Sequence, residues 1–125
     1  MENKLIIDPT EDSPAIEFDP GNNTFSISGR SLPEDPFTFY KPLQNWMADY
    51  VKDANSSSEL VVSLEYFNSS SVKQLLILFT KFEEILKTGK KAKICWYFAE
   101  GDDLMEIKGQ EFQSMLDIPF ELKAI

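Results

Sequence analysis

The sequence predicts a single α/β domain spanning residues 1–125, with a mixed sheet of about five or six strands and about three helices. Three observations lead there. The first forty residues read as short extended segments, and apolar residues then recur at three and four in stretches that alternate with short apolar runs. Strand-helix-strand units read in this way become right-handed crossovers that bring parallel strands into one sheet. Finally, 125 residues of which 42% are hydrophobic and 13% aromatic suffice for one packed core.

The expected order is β-β-β-α-β-α-β-α-β. Extended segments run over residues 4–7, 15–19 and 23–28, and Asp19-Pro20-Gly21-Asn22 carries turn chemistry that makes the last two a hairpin. Phe25 and Ile27 alternate with Thr24, Ser26 and Ser28, as in a strand with one wet face. Residues 29–36 then break the strand, which leaves Arg30 in a loop. Asp35 before Pro36 is an N-cap followed by proline at the first helical position. Phe37, Tyr40, Leu43, Met47, Tyr50 and Val51 form that helix's apolar stripe, and it ends near Asp53.

Residues 59–67 form a central strand with Leu60, Val62, Leu64 and Tyr66 on one face and Val61 on the other. Asn68-Ser69-Ser70-Ser71 closes it and opens a helix whose buried stripe is Val72, Leu75, Leu76, Phe79, Phe82 and Leu86, stopped at Gly89. The apolar run 92–98 is a buried strand. Gly101-Asp102-Asp103 opens a third helix with Met105, Phe112, Met115 and Leu116, interrupted at Gly109, and residues 119–123 form a last short strand.

Composition excludes several functions. A net charge of −9 and a single arginine, Arg30, argue against nucleic acid, whose recognition needs clustered cations. Lys87, Lys90, Lys91 and Lys93 mark a helix end, where positive charge complements the dipole. The chain contains no histidine, so neither a Ser-His nor a Cys-His pair can form, and with one cysteine a zinc site cannot be built. Ser71 and Lys73 stand two apart, which points them away from each other on a helix. Asp102 and Asp103 are read as a helix start rather than a cation site, because their spacing is not that of a calcium loop. No phosphate-cradling glycine loop is present, no cofactor is expected, and no catalytic residue is assigned. Cys95 lies in an apolar run and is expected to be buried and inert. With no apolar stretch near the length of a membrane span and no signal-peptide pattern, the expected setting is the reducing cytoplasm.

One constellation remains. Asn68, Ser69, Ser70 and Ser71 lie where a central strand hands over to a helix, and the first N–H groups of a helix lack partners and favour an anion. A phosphoryl group there adds roughly −1.5 to −2 charges. Read from spacing alone, the same residues are better explained as a plain helix cap, for which one serine suffices.

The strings Gly29-Arg30-Ser31-Leu32-Pro33-Glu34, Phe39-Tyr40-Lys41-Pro42-Leu43 with Trp46, Tyr66-Phe67-Asn68-Ser69-Ser70-Ser71, Trp96-Tyr97 and Pro119-Phe120-Glu121-Leu122 carry a resemblance over almost the whole chain. The chain resembles the SiaC-type regulatory phosphoproteins, a bacterial family whose fold is similar to the STAS domain of anti-sigma-factor antagonists. The resemblance implies a non-enzymatic partner switch. A serine/threonine kinase and a phosphatase set the state of one hydroxyl, and the unmodified form binds and regulates an effector such as a diguanylate cyclase. The modified position carries over to Ser69, where family members often have threonine, with Ser70 as the second choice. Asn68, Ser70 and Ser71 then shape the phosphate- or partner-binding site, and Arg30 contacts partner or phosphate. Two rival readings are a constitutive protein-binding adaptor and a small serine-dependent hydrolase or transferase, which needs a base beside Ser69.

Overall fold

The computed structural model describes residues 3–125, so the first two residues of the expected domain lie outside it. Six strands form one sheet: β1 (Leu5–Ile7), β2 (Ala15–Asp19), β3 (Thr24–Ser31), β4 (Ser57–Phe67), β5 (Lys91–Phe98) and β6 (Phe120–Ala124), lying side by side in chain order. β1, β2 and β3 pair antiparallel, while β3 to β6 run parallel. Three helices connect the parallel strands: α1 (Pro36–Tyr50), α2 (Ser69–Glu83) and α3 (Asp103–Met115). The fold class and element order are those the sequence predicts.

Each parallel crossover steps the same way across the sheet. Right-handed connections therefore place all three helices on one face. Burial agrees: Phe25, Ile27, Leu60, Val62, Leu64, Ile94 and Trp96 point into the core, while Ser26, Ser28, Ser63, Lys93 and Tyr97 between them are only half-buried. The N-termini of the three helices consequently line up along one edge, beyond the carboxyl ends of β3 to β6. The core holds two aromatic groups. Phe18, Phe25, Trp46 and Tyr50 pack under α1, with Trp46 stacked on Tyr50 at 5.2 Å between centroids. Phe67, Phe79, Trp96, Phe112 and Phe120 pack beneath α2 and α3.

Five expectations are corrected. β3 does not break at Gly29 but continues to Ser31, so Arg30 is a strand residue and not part of a loop. The register explains how: Gly29 pairs with Leu64 and Arg30 with Tyr66, so Glu65 is an extra residue on β4. Gly29 takes φ 103°, a conformation that costs an ordinary residue dearly, and absorbs this bulge. One extra residue reverses the alternation of β4. Phe67 therefore enters the core and Tyr66, expected inside, is 46% exposed. Phe37 belongs to the first turn of α1, beyond the sheet edge, and is 60% exposed; Trp46 and Gln44 are buried instead.

Met115 ends α3 in solvent, and α3 is continuous through Gly109 rather than interrupted. Gly109 is needed for close approach. A Cβ built there would lie 2.6 Å from Trp96 Cδ1 and 2.7 Å from Leu122 Cδ2. The same contact lets Trp96 Nε1 donate to the Met105 carbonyl at 2.9 Å. Gly109→Ala should thus destabilise the protein by about 1–3 kcal/mol in urea unfolding, overpacking outweighing the better helix propensity of alanine.

Candidate functional site

The site is built at the end of β4, where Phe67 is buried and the chain turns directly into α2. Asn68 is the N-cap: its Oδ1 accepts from the Ser71 N–H at 3.1 Å and from the Ser71 hydroxyl at 2.8 Å. Its own N–H donates to the Ser31 carbonyl at 3.1 Å, which ties the helix start to β3. The three serines then diverge. Ser69 and Ser70 are exposed, and no hydrogen bond occupies either hydroxyl or either N–H among the described residues. Ser71 is fully buried.

Ser71 is the end of a chain of hydroxyls that the sequence did not reveal. Tyr40 of α1 contacts Ser31 Oγ at 2.6 Å, and Ser31 Oγ donates to Ser71 Oγ at 3.1 Å. Since the single proton of Ser31 goes to Ser71, Tyr40 must be the donor to Ser31, and Ser71 in turn donates to Asn68. Four side chains from α1, β3 and the β4–α2 turn are thus satisfied in one direction. Burial pushes the Tyr40 phenol up to about 12, and its bond to Ser31 only partly offsets this. Ser71, expected among the partner- or phosphate-binding residues, is instead sealed in the core, because its hydroxyl is consumed by this chain and its N–H by the cap. Periodicity places Tyr40 in the buried stripe of α1 but cannot link it to Ser31 or Ser71, since only the long-range packing of α1, β3 and α2 brings the three together.

Arg30 is exposed on the sheet face away from the helices, beside its register partner Tyr66, and forms no ion pair among the described residues. The bulge that keeps β3 going carries it to the same edge as Ser69. No base is hydrogen-bonded to Ser69 among the described residues, and the concavities lined by Trp46, Tyr50 and Asn55, and by Ser58, Lys90 and Pro119, both lie at the opposite edge.

A second titratable group sits on the open sheet face. Cys95 Sγ lies 2.6 Å from Glu59 Oε2 and 3.6 Å from Glu121 Oε1, and Lys93 Nζ binds Glu121 at 2.8 Å. Three potential donor atoms therefore fall within 4.8 Å of one another. Burial and the two carboxylates push the thiol up to about 12, so it stays protonated, while Lys93 already supplies positive charge to Glu121. At Asp102 the sequence reading holds: its carboxylate caps α3 by accepting from Met105 N–H at 3.2 Å. No helix is long and apolar enough to cross a membrane among the described residues.

An exposed hydroxyl pair at a helix start thus lies beside a locked serine on a one-sided α/β sheet. A sequence model described as "SiaC family regulatory phosphoprotein" matches residues 7–125. The chain is 26% identical over 120 residues to an uncharacterised protein of Pseudomonas aeruginosa strain UCBPP-PA14, covering 96% of this chain and 95% of that one. Apo-SiaC from Pseudomonas aeruginosa superposes with a TM-score of 0.87 at 25% identity, over 98% of this chain and 99% of the other. SiaC in complex with the diguanylate cyclase SiaD, which it activates, superposes at 0.86 with 26% identity, over 97% and 99%. The protein belongs to the SiaC family of regulatory phosphoproteins.

Two outcomes follow from the buried hydroxyls. Ser31→Ala should cost about 1–3 kcal/mol in urea unfolding by stranding the Tyr40 hydroxyl, whereas Ser69→Ala should stay within about 0.5 kcal/mol. Stability should also fall as pH rises from about 9 towards 12. Cys95 and Tyr40 hold their protons in the fold above their ordinary values of 9.0 and 10.0, so unfolding releases protons there and alkali favours it. Lys93, raised by its bond and charge contact with Glu121, acts in the same direction. Tyr40→Phe should flatten the decline in urea midpoint between pH 10 and 11.

Proposed function

We propose that this protein is a non-enzymatic phosphoswitch, with Ser69 as its acceptor and Ser70 as the second choice. Unmodified, it binds and activates an effector of the diguanylate cyclase class. A serine/threonine kinase adds the phosphoryl group and a phosphatase removes it. The observation that carries this reading is the contrast within one turn: Ser71 is locked and buried, while Ser69 stands exposed beside helix N–H groups that have no partner.

Each part has a physical role. Asn68 fixes the helix start, so the charge arrives on a rigid frame rather than a loop. The N–H groups of Ser69 and Ser70, with the positive end of the α2 dipole, stabilise a phosphate without unfolding anything. The added charge is thus local, and the partner that docks on this edge meets a changed surface. Arg30, exposed at the same edge, contacts the partner or the phosphate. The relative caught in complex with its diguanylate cyclase supports an enzyme as effector. The acidity of the chain suits a protein partner better than nucleic acid or an anionic membrane.

The test compares binding of wild type, Ser69→Ala and protein carrying phosphoserine at 69 to a purified diguanylate cyclase of the source bacterium. Wild type and Ser69→Ala should bind alike and the phosphorylated form at least tenfold more weakly. Equal binding by all three would make the protein a constitutive adaptor.

A further inference from the structure

The sheet ends in β6, which pairs only with β5 among the described residues and so has a free outer side. Two hydrogen bonds fix its orientation: the Ile94 N–H donates to the Pro119 carbonyl at 2.9 Å, and the Ile125 N–H to the Phe98 carbonyl at 2.8 Å. Backbone groups alternate in direction along a strand, so those of Glu121 and Lys123 also turn towards β5. Phe120, Leu122 and Ala124 therefore aim their N–H and C=O groups outward. The Phe120 carbonyl accepts from Gln113 Nε2 at 2.7 Å, and the others have no partner among the described residues. At the other end of the sheet β1 has three residues, too short a template for stable pairing.

A row of outward donors and acceptors accepts a further strand, and the side chains of β6 select a second β6. Glu121 and Lys123 stand on the face without helices. Glu121 is bonded to Lys93 at 2.8 Å. Lys123 Nζ lies over the Tyr97 ring, 6.0 Å from its centroid, and forms no ion pair among the described residues. Let a second copy run antiparallel, with Leu122 opposite Leu122. Phe120 then meets Ala124 of the copy, outward groups meet outward groups, and each Glu121 meets a Lys123. Those charged pairs fall at non-hydrogen-bonded positions, where side chains approach most closely. Other registers fare worse. Centring on Glu121 or Lys123 sets like charges face to face, and centring on Phe120 or Ala124 leaves β6 opposite β6 at one residue only. The helices allow the pairing too. α3 packs on Leu122 at Gly109, so α3 and its copy lie antiparallel about that level, roughly 10 Å apart. Gln113, which faces the edge, then falls near Glu106 of the copy, and the two Glu106 carboxylates stay apart.

We propose that the outer edge of β6 binds a second copy of this chain, strand to strand and antiparallel about Leu122, joining the two sheets into one. A five-residue ladder is a small interface, and a net charge of −9 on each copy opposes it. The product is a reversible dimer with a dissociation constant on the order of 0.1 mM, not a permanent one. The proposal stands apart from the phosphoswitch. An antiparallel dyad sends the two carboxyl edges in opposite directions, so both serine turns stay open in the dimer.

Sedimentation velocity tests this on wild type, Ala124→Pro, Lys123→Glu and Glu121→Lys, from about 10 µM to about 0.5 mM protein in about 0.3 M salt, which screens the net repulsion. Ala124→Pro removes an outward N–H and leaves the bonds to β5 in place, so dilute samples should melt as wild type does. Ala124→Pro and Lys123→Glu should each weaken dimerisation about tenfold or more, the second by setting Glu121 against a like charge twice per dimer. Glu121→Lys alone should fail in the same way. Mixing it in equal amounts with Lys123→Glu should restore dimers at wild-type affinity or better, because every facing pair is then opposite in charge. A wild type that stays monomeric at about 0.5 mM would overturn the proposal and leave the edge to a different strand. A dimer untouched by Ala124→Pro would overturn it by placing the contact elsewhere on the molecule. A mixture no stronger than its components would overturn the register.

Discussion

The edge that carries the serine turn depends on one chain of hydrogen bonds, from Tyr40 through Ser31 and Ser71 to Asn68. Buried hydroxyls are tolerated only when paired, and here each donates to the next in a single direction. The chain joins α1, β3 and the start of α2. It also decides which serine is available: by consuming the Ser71 hydroxyl and N–H, it leaves Ser69 and Ser70 as the free hydroxyls of the turn. A short polar string thereby becomes one structural residue followed by an exposed face.

The topology supplies the rest. Because the four parallel strands lie in chain order, right-handed crossovers stack every helix on one face and align every helix start along one edge. Three positive dipole ends, an exposed hydroxyl pair and most of the exposed apolar side chains meet there. The opposite sheet face carries the Cys95, Glu59, Glu121 and Lys93 cluster, in which the thiol is held protonated and Lys93 balances Glu121.

Local signals made most of the fold legible. Asp35-Pro36, Asn68 and Asp102 announce the helix starts, and all three side chains do cap. What stayed hidden depends on pairing between distant segments. The bulge at Glu65 leaves no mark in the periodicity of β4, so Tyr66 and Phe67 exchange faces unannounced. Gly29 reads as a strand breaker when it is what lets β3 continue. Gly109 reads as a helix interruption when Trp96 is what requires it. At the site, motif and position drew attention to the Asn68–Ser71 turn, whereas the Ser31–Tyr40–Ser71 chain joins residues 9 and 40 apart in sequence and needs the folded sheet.

The availability of Ser69 and the sequestration of Ser71 can be checked together by mapping phosphate on the protein recovered from its native cell, using fragmentation that resolves adjacent serines. The account predicts phosphate on Ser69 and none on Ser71. Phosphate found on Ser71, or only at residues outside the Asn68–Ser71 turn, would contradict it.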